Sequence, residues 1–133
     1  MKIIDVVCGI MKEDEGYLIA RRGKGVHENV WEFPGGKVEL GESREAAIIR
    51  ELKEELDIEV EVEGYVTSVV DKREDCELHV HAYRCHRISG DITLHVHHEL
   101  RYVKGSELAS YGFEECDKQI IQLILQQDKE GCS

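Results

Sequence analysis

The feature that most constrains this chain is the run SREAAIIRELKEEL at residues 43–56. Its apolar residues recur at the three- and four-residue spacing of one helix face, which predicts an amphipathic helix packed against the rest of the protein. Ser43 is a suitable N-cap, and Glu45 in the first turn suits the helix dipole. The apolar face consists of Ala47, Ile48, Leu52 and Leu56.

Strand-like segments lie on both sides of this helix. IIDVVCGIM and GYLIARR precede it, joined by the turn KEDEG, and GKGVHENVWEFPGG is predicted as a loop. IEVEVEGYVTSVV, ELHVHAYRCHRI and ELRYV follow as strands, SELASYGF as a turn of helix or a loop, and CDKQIIQLILQQ as a final amphipathic helix. This order predicts an α/β fold with a mixed sheet and helices packed against it. With 133 residues and no internal repeat, we expect one domain over residues 1–133.

Composition excludes several classes of protein. A formal charge of −11 argues against a nucleic-acid-binding protein, because phosphate backbones attract Lys and Arg surfaces. No apolar run approaches the roughly 20 residues of a membrane span, and the N-terminal segment is too short for a signal peptide. The five cysteines are scattered and form no C-x-x-C pair, which indicates free thiols in a reducing, cytoplasmic compartment.

Acidic residues concentrate around the predicted helix. Residues 39–63 hold ten acidic and three basic side chains, a net charge of −7. Glu51, Glu54 and Glu55 share one helix face, and the pair four residues apart repels. Carboxylates grouped in this way suit a hard cation such as Mg²⁺, since the ion converts their repulsion into attraction. The alternative is a solvated acidic helix face.

The spacing from Gly36 to Ile58 reads G-x5-E-x7-R-E-U-x-E-E-x-D-U, where U is a large aliphatic residue. It resembles the signature of the Nudix hydrolase family, G-x5-E-x7-R-E-U-x-E-E-x-G-U, and departs from it only at Asp57, which replaces the last glycine. The segments WEFPGGK, HHELRYV and FEECDKQII, and the strand that ends in Arg21 and Arg22, are similar to the MutT-type branch, especially its CTP pyrophosphohydrolase-like members. The resemblance thus covers nearly the whole chain.

The resemblance implies a Nudix-type α/β/α sandwich and cleavage of a nucleoside diphosphate linked to another group, with water and Mg²⁺ or Mn²⁺. Glu51 matches the base that activates the water, although this role moves between residues in the family. Arg50 and Glu42 match the pair that braces the loop and the helix. The family's metal ligands correspond to the carbonyl of Gly36 and the carboxylates of Glu51, Glu54 and Glu55, with Glu99 as a further candidate.

Three residues are candidates for substrate binding. Arg22 ends a strand that resembles the family's nucleotide-side strand. Phe33 and Trp31 flank the glycine pair and either contact the base or belong to the core. Asp117 lies where MutT-type enzymes place a base-reading Asn or Asp, and the alternative is that it is the N-cap of the last helix.

These features predict a pyrophosphohydrolase that converts a nucleoside triphosphate to the monophosphate, acting on CTP or dCTP as a monomer or homodimer. The window DKREDC at residues 71–76 lacks the proline typical of ADP-ribose pyrophosphatases and the tyrosine typical of dinucleoside polyphosphate hydrolases, which favours mononucleotides. One alternative is a hydrolase of oxidised dGTP; another is a non-catalytic nucleotide-sensing module. The strings HVH and HVHH could each place two histidines on one strand face for a transition metal, or form a plain polar face.

Overall fold

The computed structural model describes residues 2–14, 16–22, 30–94 and 97–131. Its strands are β1 (Lys2–Glu13), β2 (Gly16–Arg22), β3 (Trp31–Glu32), β4 (Gly35–Lys37), β5 (Glu59–Lys72), β6 (Cys76–Ser89) and β7 (His97–Lys104). Its α-helices are α1 (Arg44–Leu56) and α2 (Glu115–Gly131), and a 3-10 helix spans Gly105–Ser110.

The strands form a mixed sheet in the order β3-β2-β1-β6-β5, with β4 paired to β1 and β7 paired to β2. Strands β1 and β6 run parallel, in register from Lys2 opposite Cys76 to Met11 opposite Cys85. The other pairs are antiparallel. Strand β1 is therefore the centre of the sheet, and it contacts β2, β4 and β6.

Each face of the sheet buries one helix. On β1, Val7 belongs to the core under α1, whereas its neighbour Cys8 belongs to the core under α2. This division follows from the alternation of side chains along a strand. The result is an α/β/α sandwich, which confirms the predicted fold class.

Helix α1 forms as its sequence predicts. The Ser43 hydroxyl accepts a hydrogen bond from the backbone N–H of Ala46 at 3.1 Å, which is the N-cap contact. The four predicted core residues of this helix are all fully buried: Ala47, Ile48, Leu52 and Leu56.

Two segments differ from the sequence prediction. The region predicted as a loop up to the glycine pair contains β3 and ends in β4, and its residues 23–29 lie outside the described part of the chain. Strands of two and three residues carry no detectable alternation, and they exist because β2 and β1 offer them partners. Helix α2 extends beyond the predicted residues 116–127 at both ends.

Four of the five cysteines lie in the described part of the chain, where they are free thiols as predicted, and Cys132 lies outside it. Cys8, Cys76, Cys85 and Cys116 form no disulfide. Within the described ranges, neither α-helix has the length and apolarity that crossing a bilayer requires.

Helix α1 ends in a left-handed residue, which generates a prediction about stability. Asp57 has φ 61° and ψ 35°, and its N–H donates to the Lys53 carbonyl oxygen at 3.0 Å. A residue with a side chain adopts this conformation at a cost of about 1 kcal/mol relative to glycine. The Lys53 ammonium lies 3.4 Å from the Asp57 carboxylate, but both side chains are more than half exposed, so their attraction is weak.

We expect Asp57→Gly to raise the melting temperature by a few degrees, measured by thermal denaturation at neutral pH. Asp57→Asn is the matched control, because it removes the charge and keeps a side chain, and we expect it to give a smaller increase. A lower melting temperature for the glycine variant would contradict this account of the cap.

Candidate active site

Two clefts meet at the glycine pair. The first, here called the glutamate cleft, has a volume of about 520 Å³, and Glu39, Glu51, Glu54 and Glu55 line it. The second, the aspartate pocket, has a volume of about 450 Å³. Gly35, Gly36 and Lys37 of β4 line both. A ligand can therefore span both clefts along this strand.

Arg50 connects the loop before α1 to the glutamates of α1. Its Nε and Nη2 donate to the two carboxylate oxygens of Glu42 at 2.7 and 3.0 Å. Its Nη1 donates to Glu51 at 2.9 Å and to Glu54 at 3.2 Å, and Nη2 also reaches the carbonyl oxygen of Lys37 at 3.0 Å. A planar guanidinium with five donors suits this set of acceptors, which an ammonium could not satisfy.

The glycine pair lets the backbone approach the glutamates. A Cβ added to Gly36 would lie 2.5 Å from the Glu51 carboxylate, so any side chain there would displace it. A Cβ on Gly35 would lie 1.9 Å from the carbonyl oxygen of Val7 on β1. Both positions require glycine because the space of a side chain is already occupied.

The three glutamates of α1 differ in exposure. The Glu54 side chain is 60% exposed, the Glu51 side chain is largely covered, and Glu55 is buried with 6% exposure. Across the described ranges, no three His, Cys, Asp or Glu side chains already stand close enough to hold a metal ion. The three glutamates of α1 share the glutamate cleft, and Arg50 donates hydrogen bonds to Glu51 and Glu54.

The oxygen atoms in the glutamate cleft are suitable ligands for a divalent cation. Carboxylate oxygens and a backbone carbonyl beside Gly36 are ligands that Mg²⁺ and Mn²⁺ accept. The buried Glu55 carboxylate supports this assignment, since a charge removed from water is stabilised by a cation beside it.

Asp117 lies in the aspartate pocket, within the first turn of α2. The N-cap alternative is wrong, because the helix begins earlier, at Glu115. Burial and, after it, the charges of Glu32, Glu114 and Asp71 together raise the pKa of the Asp117 carboxyl from 3.8 to about 7. Asp117 is thus a carboxyl group that changes its charge near neutral pH.

The aromatic residues beside the glycines have different positions. Phe33 lines the aspartate pocket and packs against Phe113, with ring centroids 5.5 Å apart. Trp31 is buried against Tyr111 in an edge-to-face contact at 5.2 Å, and it lines neither cleft. The structure therefore brings Phe33, and not Trp31, to the predicted substrate side.

Two other predicted site residues are not brought to the clefts. Glu99 accepts hydrogen bonds from Arg21 at 2.9 Å and from Arg101 at 2.6 Å, and it lines neither cleft. Its pKa is lowered, first by Arg101 and then by Arg21. Arg22 ends β2, and its side chain lies outside the described atoms. The metal role of Glu99 and the substrate role of Arg22 stay predictions.

The histidine strings show no metal site in the described residues. The string at residues 95–98 lies outside the described side chains. His79 and His81 instead contact carboxylates, Glu77 at 3.2 Å and Asp5 at 2.9 Å.

The sequence analysis missed a set of charged residues that line the aspartate pocket. Arg73, in the turn after β5, donates to the carboxylate of Asp71, in β5, at 2.8 and 3.1 Å, and both residues of this ion pair line the pocket. Glu32 and Glu114 reach the same pocket from β3 and from the residue before α2. The charged window at residues 71–76 was the available signal, but its place beside Asp117 depends on the fold.

Comparisons with known proteins agree with this architecture. The NUDIX domain model matches residues 1–124. The CTP pyrophosphohydrolase of Escherichia coli K12 is 34% identical over 126 residues, 94% of this chain and 93% of that protein. The 8-oxo-dGTP diphosphatase of the same organism is 45% identical over 60 residues, 44% of this chain and 46% of that protein.

Solved structures give the same result. The solution structure of the E. coli ORF135 protein superposes with a TM-score of 0.84 at 34% identity, covering 95% of this chain and 91% of that one. The MutT protein from Methanosarcina mazei Go1 has the same fold, with a TM-score of 0.85 at 19% identity and 96% coverage of both chains. The chain therefore belongs to the Nudix family, and it is a Nudix hydrolase.

The Arg50–Glu42 contact generates a prediction about pH. The hydrogen bond from Arg50, with a second from the backbone of Glu39, lowers the pKa of Glu42 from 4.5 to about 2. A carboxyl group whose pKa is lower in the folded state stabilises the fold above its unfolded pKa, and this stabilisation is lost as the pH falls. The stabilisation that Glu42 contributes is therefore lost as the pH falls from 4.5 to about 2.

We expect Glu42→Gln to lose less stability than the wild type between pH 5 and pH 3, measured by urea unfolding. Glu45→Gln is the control, because it removes an exposed carboxylate from the first turn of the same helix. Equal pH dependence in wild type and Glu42→Gln would show that the Arg50 contact is not maintained in solution.

Proposed function

We propose that this Nudix hydrolase is a nucleoside triphosphate pyrophosphohydrolase that converts a (d)NTP and water to a (d)NMP and pyrophosphate, with CTP or dCTP as preferred substrate. The observation that carries the proposal is the junction of the two clefts at the glycine pair. The glutamate cleft suits a metal-bound triphosphate. The aspartate pocket, with apolar walls that include Phe33, suits a nucleoside.

On this proposal the glutamate cleft binds Mg²⁺, or Mn²⁺, through Glu51, Glu54, Glu55 and the carbonyl of Gly36. A bound divalent cation would neutralise the phosphate charge and activate the attacking water. Glu51 would accept the proton of the attacking water, and its carboxylate is held between Arg50 and the Gly36 backbone. Glu42 and Arg50 act as positioning residues, since the guanidinium holds the loop, the Glu51 carboxylate and the helix together.

The charge of the protein is consistent with this reaction. A chain of net charge −11 repels a free triphosphate, and its most acidic window surrounds the cleft in which the phosphates would bind. The substrate must therefore arrive with its cations. Lys37, which lines both clefts, adds one positive charge at their junction.

Asp117 supports the preference for cytosine. An ionised carboxylate only accepts hydrogen bonds, so it suits the amino group of cytosine and opposes the O4 acceptor of uracil or thymine. Polar groups that are opposed or left unpaired in a buried pocket discriminate strongly between substrates. The E. coli relative named CTP pyrophosphohydrolase, similar over nearly the whole chain, favours the same substrate.

Oxidised dGTP is the second candidate. The guanine N1–H and amino group also suit a carboxylate acceptor. The E. coli relative named 8-oxo-dGTP diphosphatase has the higher identity, but over less than half of this chain. A non-catalytic sensing module is disfavoured, because all the acidic positions of the signature are present.

A pyrophosphate-release screen tests the proposal. It uses all common ribo- and deoxynucleoside triphosphates and 8-oxo-dGTP, each with Mg²⁺ and with EDTA. We expect the highest kcat/KM for CTP or dCTP and little activity on UTP or dTTP. Activity confined to 8-oxo-dGTP would favour the second candidate, and no release from any nucleotide would support the sensing module.

The proposed metal ligands generate a prediction about Glu54. We expect Glu54→Gln to weaken Mg²⁺ binding in calorimetric titrations and to lower turnover by at least about tenfold, while the fold is kept, because this side chain is exposed. Glu45→Gln is the matched control, since it makes the same chemical change on the opposite side of α1. Unchanged Mg²⁺ affinity and turnover in Glu54→Gln would remove Glu54 from the proposed site.

Asp117 generates a prediction about base selection and pH. In the wild type the ratio of kcat/KM for CTP to that for UTP should increase as the pH rises from 6 to 8, because Asp117 loses its proton near pH 7. The Asp117→Asn side chain has an N–H donor that can pair with uracil O4. This variant should therefore have a smaller CTP-to-UTP ratio of kcat/KM, and that ratio should no longer depend on pH. Because both substrates carry the same triphosphate and use the same metal site, pH effects on the phosphates and on metal binding cancel in the ratio of their kcat/KM values.

The same variant tests the burial of Asp117 independently. A carboxyl group whose pKa is raised in the folded state reduces stability as the pH rises from 3.8 to about 7. Asp117→Asn should therefore gain melting temperature relative to the wild type between pH 5 and pH 8. If the variant is less stable at both pH values and its substrate ranking is unchanged, the base is recognised elsewhere.

A further inference from the structure

A second group of reactive side chains lies away from both clefts. The Ser68 hydroxyl is 2.6 Å from His81 Nδ1, and His81 Nε2 is 2.9 Å from the Asp5 carboxylate. The Tyr65 hydroxyl is 2.7 Å from Ser68 Oγ. The four residues form one continuous chain of hydrogen bonds across the strands β5, β6 and β1.

The register of the sheet produces this alignment. Ser68 lies directly opposite His81 in the β5–β6 pair. In the parallel β1–β6 pair His81 lies opposite Val7, and Asp5, two residues earlier, shares the face of Val7. A register shift between Tyr65 and Thr67 inserts one residue into β5, which brings Tyr65 and Ser68 to the same face although they are three residues apart.

None of the four hydrogen-bonded residues lines either cleft. The pocket receives Leu78 and Val80 of β6, and His81 follows Val80 by one position. Since neighbouring residues of a strand point to opposite faces, the sheet separates His81 from the pocket. The hydrogen-bonded side chains therefore lie outside both clefts.

The acceptor atoms decide which partner carries the proton in each of these hydrogen bonds. Asp5 is an ionised carboxylate, and the hydrogen bond from His81 lowers its pKa. A carboxylate only accepts, so the proton of neutral His81 lies on Nε2. Nδ1 then accepts from the Ser68 hydroxyl, and Ser68 Oγ can accept from Tyr65. The serine is thereby paired with a base whose orientation a carboxylate fixes, which is the arrangement of an activated nucleophile.

The serine is accessible, whereas its base is not. Ser68 is exposed and Tyr65 is 55% exposed, but His81 is buried with 4% exposure. Val70 follows Ser68 on the same face of β5, and Ile3 precedes Asp5 on the same face of β1; both are exposed apolar side chains. A hydroxyl flanked by apolar surface suits a substrate with an acyl chain.

A cation lies beside the same patch. The pKa of the Arg44 guanidinium is raised, first by Tyr83 and then by the charges of Asp5 and Tyr65, so Arg44 lies near these residues. The Tyr83 ring is in edge contact with Tyr65, with centroids 5.4 Å apart. Arg44 thus adds a positive charge beside the hydrogen-bonded residues.

We infer that Ser68 is the nucleophile of a second, metal-independent active site that hydrolyses activated carboxylic esters, with His81 as its base and Asp5 as a positioning residue. Ser68 Oγ attacks the ester carbonyl carbon, and its proton passes to His81 Nδ1. The C–O bond to the leaving group breaks, and His81 gives this proton to the departing alcohol. Water then attacks the acyl-serine through the same base, which releases the carboxylic acid and restores Ser68.

The test is hydrolysis of p-nitrophenyl acetate and p-nitrophenyl butyrate by the full chain in EDTA, which removes the metal required for the pyrophosphohydrolase. We expect Ser68→Ala to lower ester hydrolysis at least about tenfold and to keep its circular dichroism spectrum, because Ser68 is exposed. Ser110→Ala is the matched control and should hydrolyse as the wild type does, since the Ser110 hydroxyl donates only to the Glu107 carbonyl oxygen. Equal rates in wild type and Ser68→Ala would overturn the inference.

Two further measurements identify the roles. A fluorophosphonate probe should label Ser68, located by mass spectrometry of peptides, and labelling confined to other residues would contradict the assignment. Asp5→Asn should lower kcat for the ester at least about tenfold with little change in KM, and should shift the pH profile, because the carboxylate no longer fixes the His81 proton. An unchanged kcat and pH profile would show that Asp5 does not position the base. Failure of these tests leaves the pyrophosphohydrolase proposal untouched, since that activity is measured on nucleotides with Mg²⁺.

Discussion

The hydrogen bonds of Arg50 hold the candidate active site together. One guanidinium contacts the loop before α1 through Glu42, strand β4 through the carbonyl oxygen of Lys37, and α1 through Glu51 and Glu54. It also offsets the repulsion between carboxylates on one helix face, which would otherwise weaken the helix. The acidic face of α1 can therefore exist before any cation is bound, and its glutamates remain directed toward the glycine pair.

The sheet gives each of its faces a separate role. Alternate residues of β1 support the core under α1 and the core under α2, so a single strand positions both helices. The aspartate pocket brings together acidic groups from β3, from the end of β5, from the residue before α2 and from the first turn of α2. These groups are distant in sequence and meet only because the strands bring them together. The burial of Asp117, and after it the charges of these neighbours, raise the pKa of Asp117 to about 7.

Local features were predictable from the sequence, and features that depend on distant contacts were not. The apolar face of α1, its cap at Ser43 and the sheet between helices follow from periodicity and short-range hydrogen bonding. The short strands β3 and β4 exist because other strands pair with them, and no pattern in their own residues shows this. The grouping of Glu32, Asp71 and Glu114 around Asp117 depends in the same way on the completed fold, and so does the pairing of Glu99 with two arginines. The spacing of the signature predicted the glutamate cleft, but it did not show which carboxylates accept hydrogen bonds from Arg50.

The glycine pair of β4 has a consequence for the length of the substrate. Gly35 lies against the backbone of β1 with no space for a methyl group, and β4 pairs with β1 from Val6 to Cys8, so this pairing holds β4 between the two clefts. The distance from the Asp117 end to the Glu51 end is thus a property of the rigid sheet. On the proposed function, this fixed distance selects the phosphorus atom that is attacked. When the nucleobase is bound in the aspartate pocket, the number of bonds along the sugar and the phosphates decides which phosphorus atom reaches the attacking water.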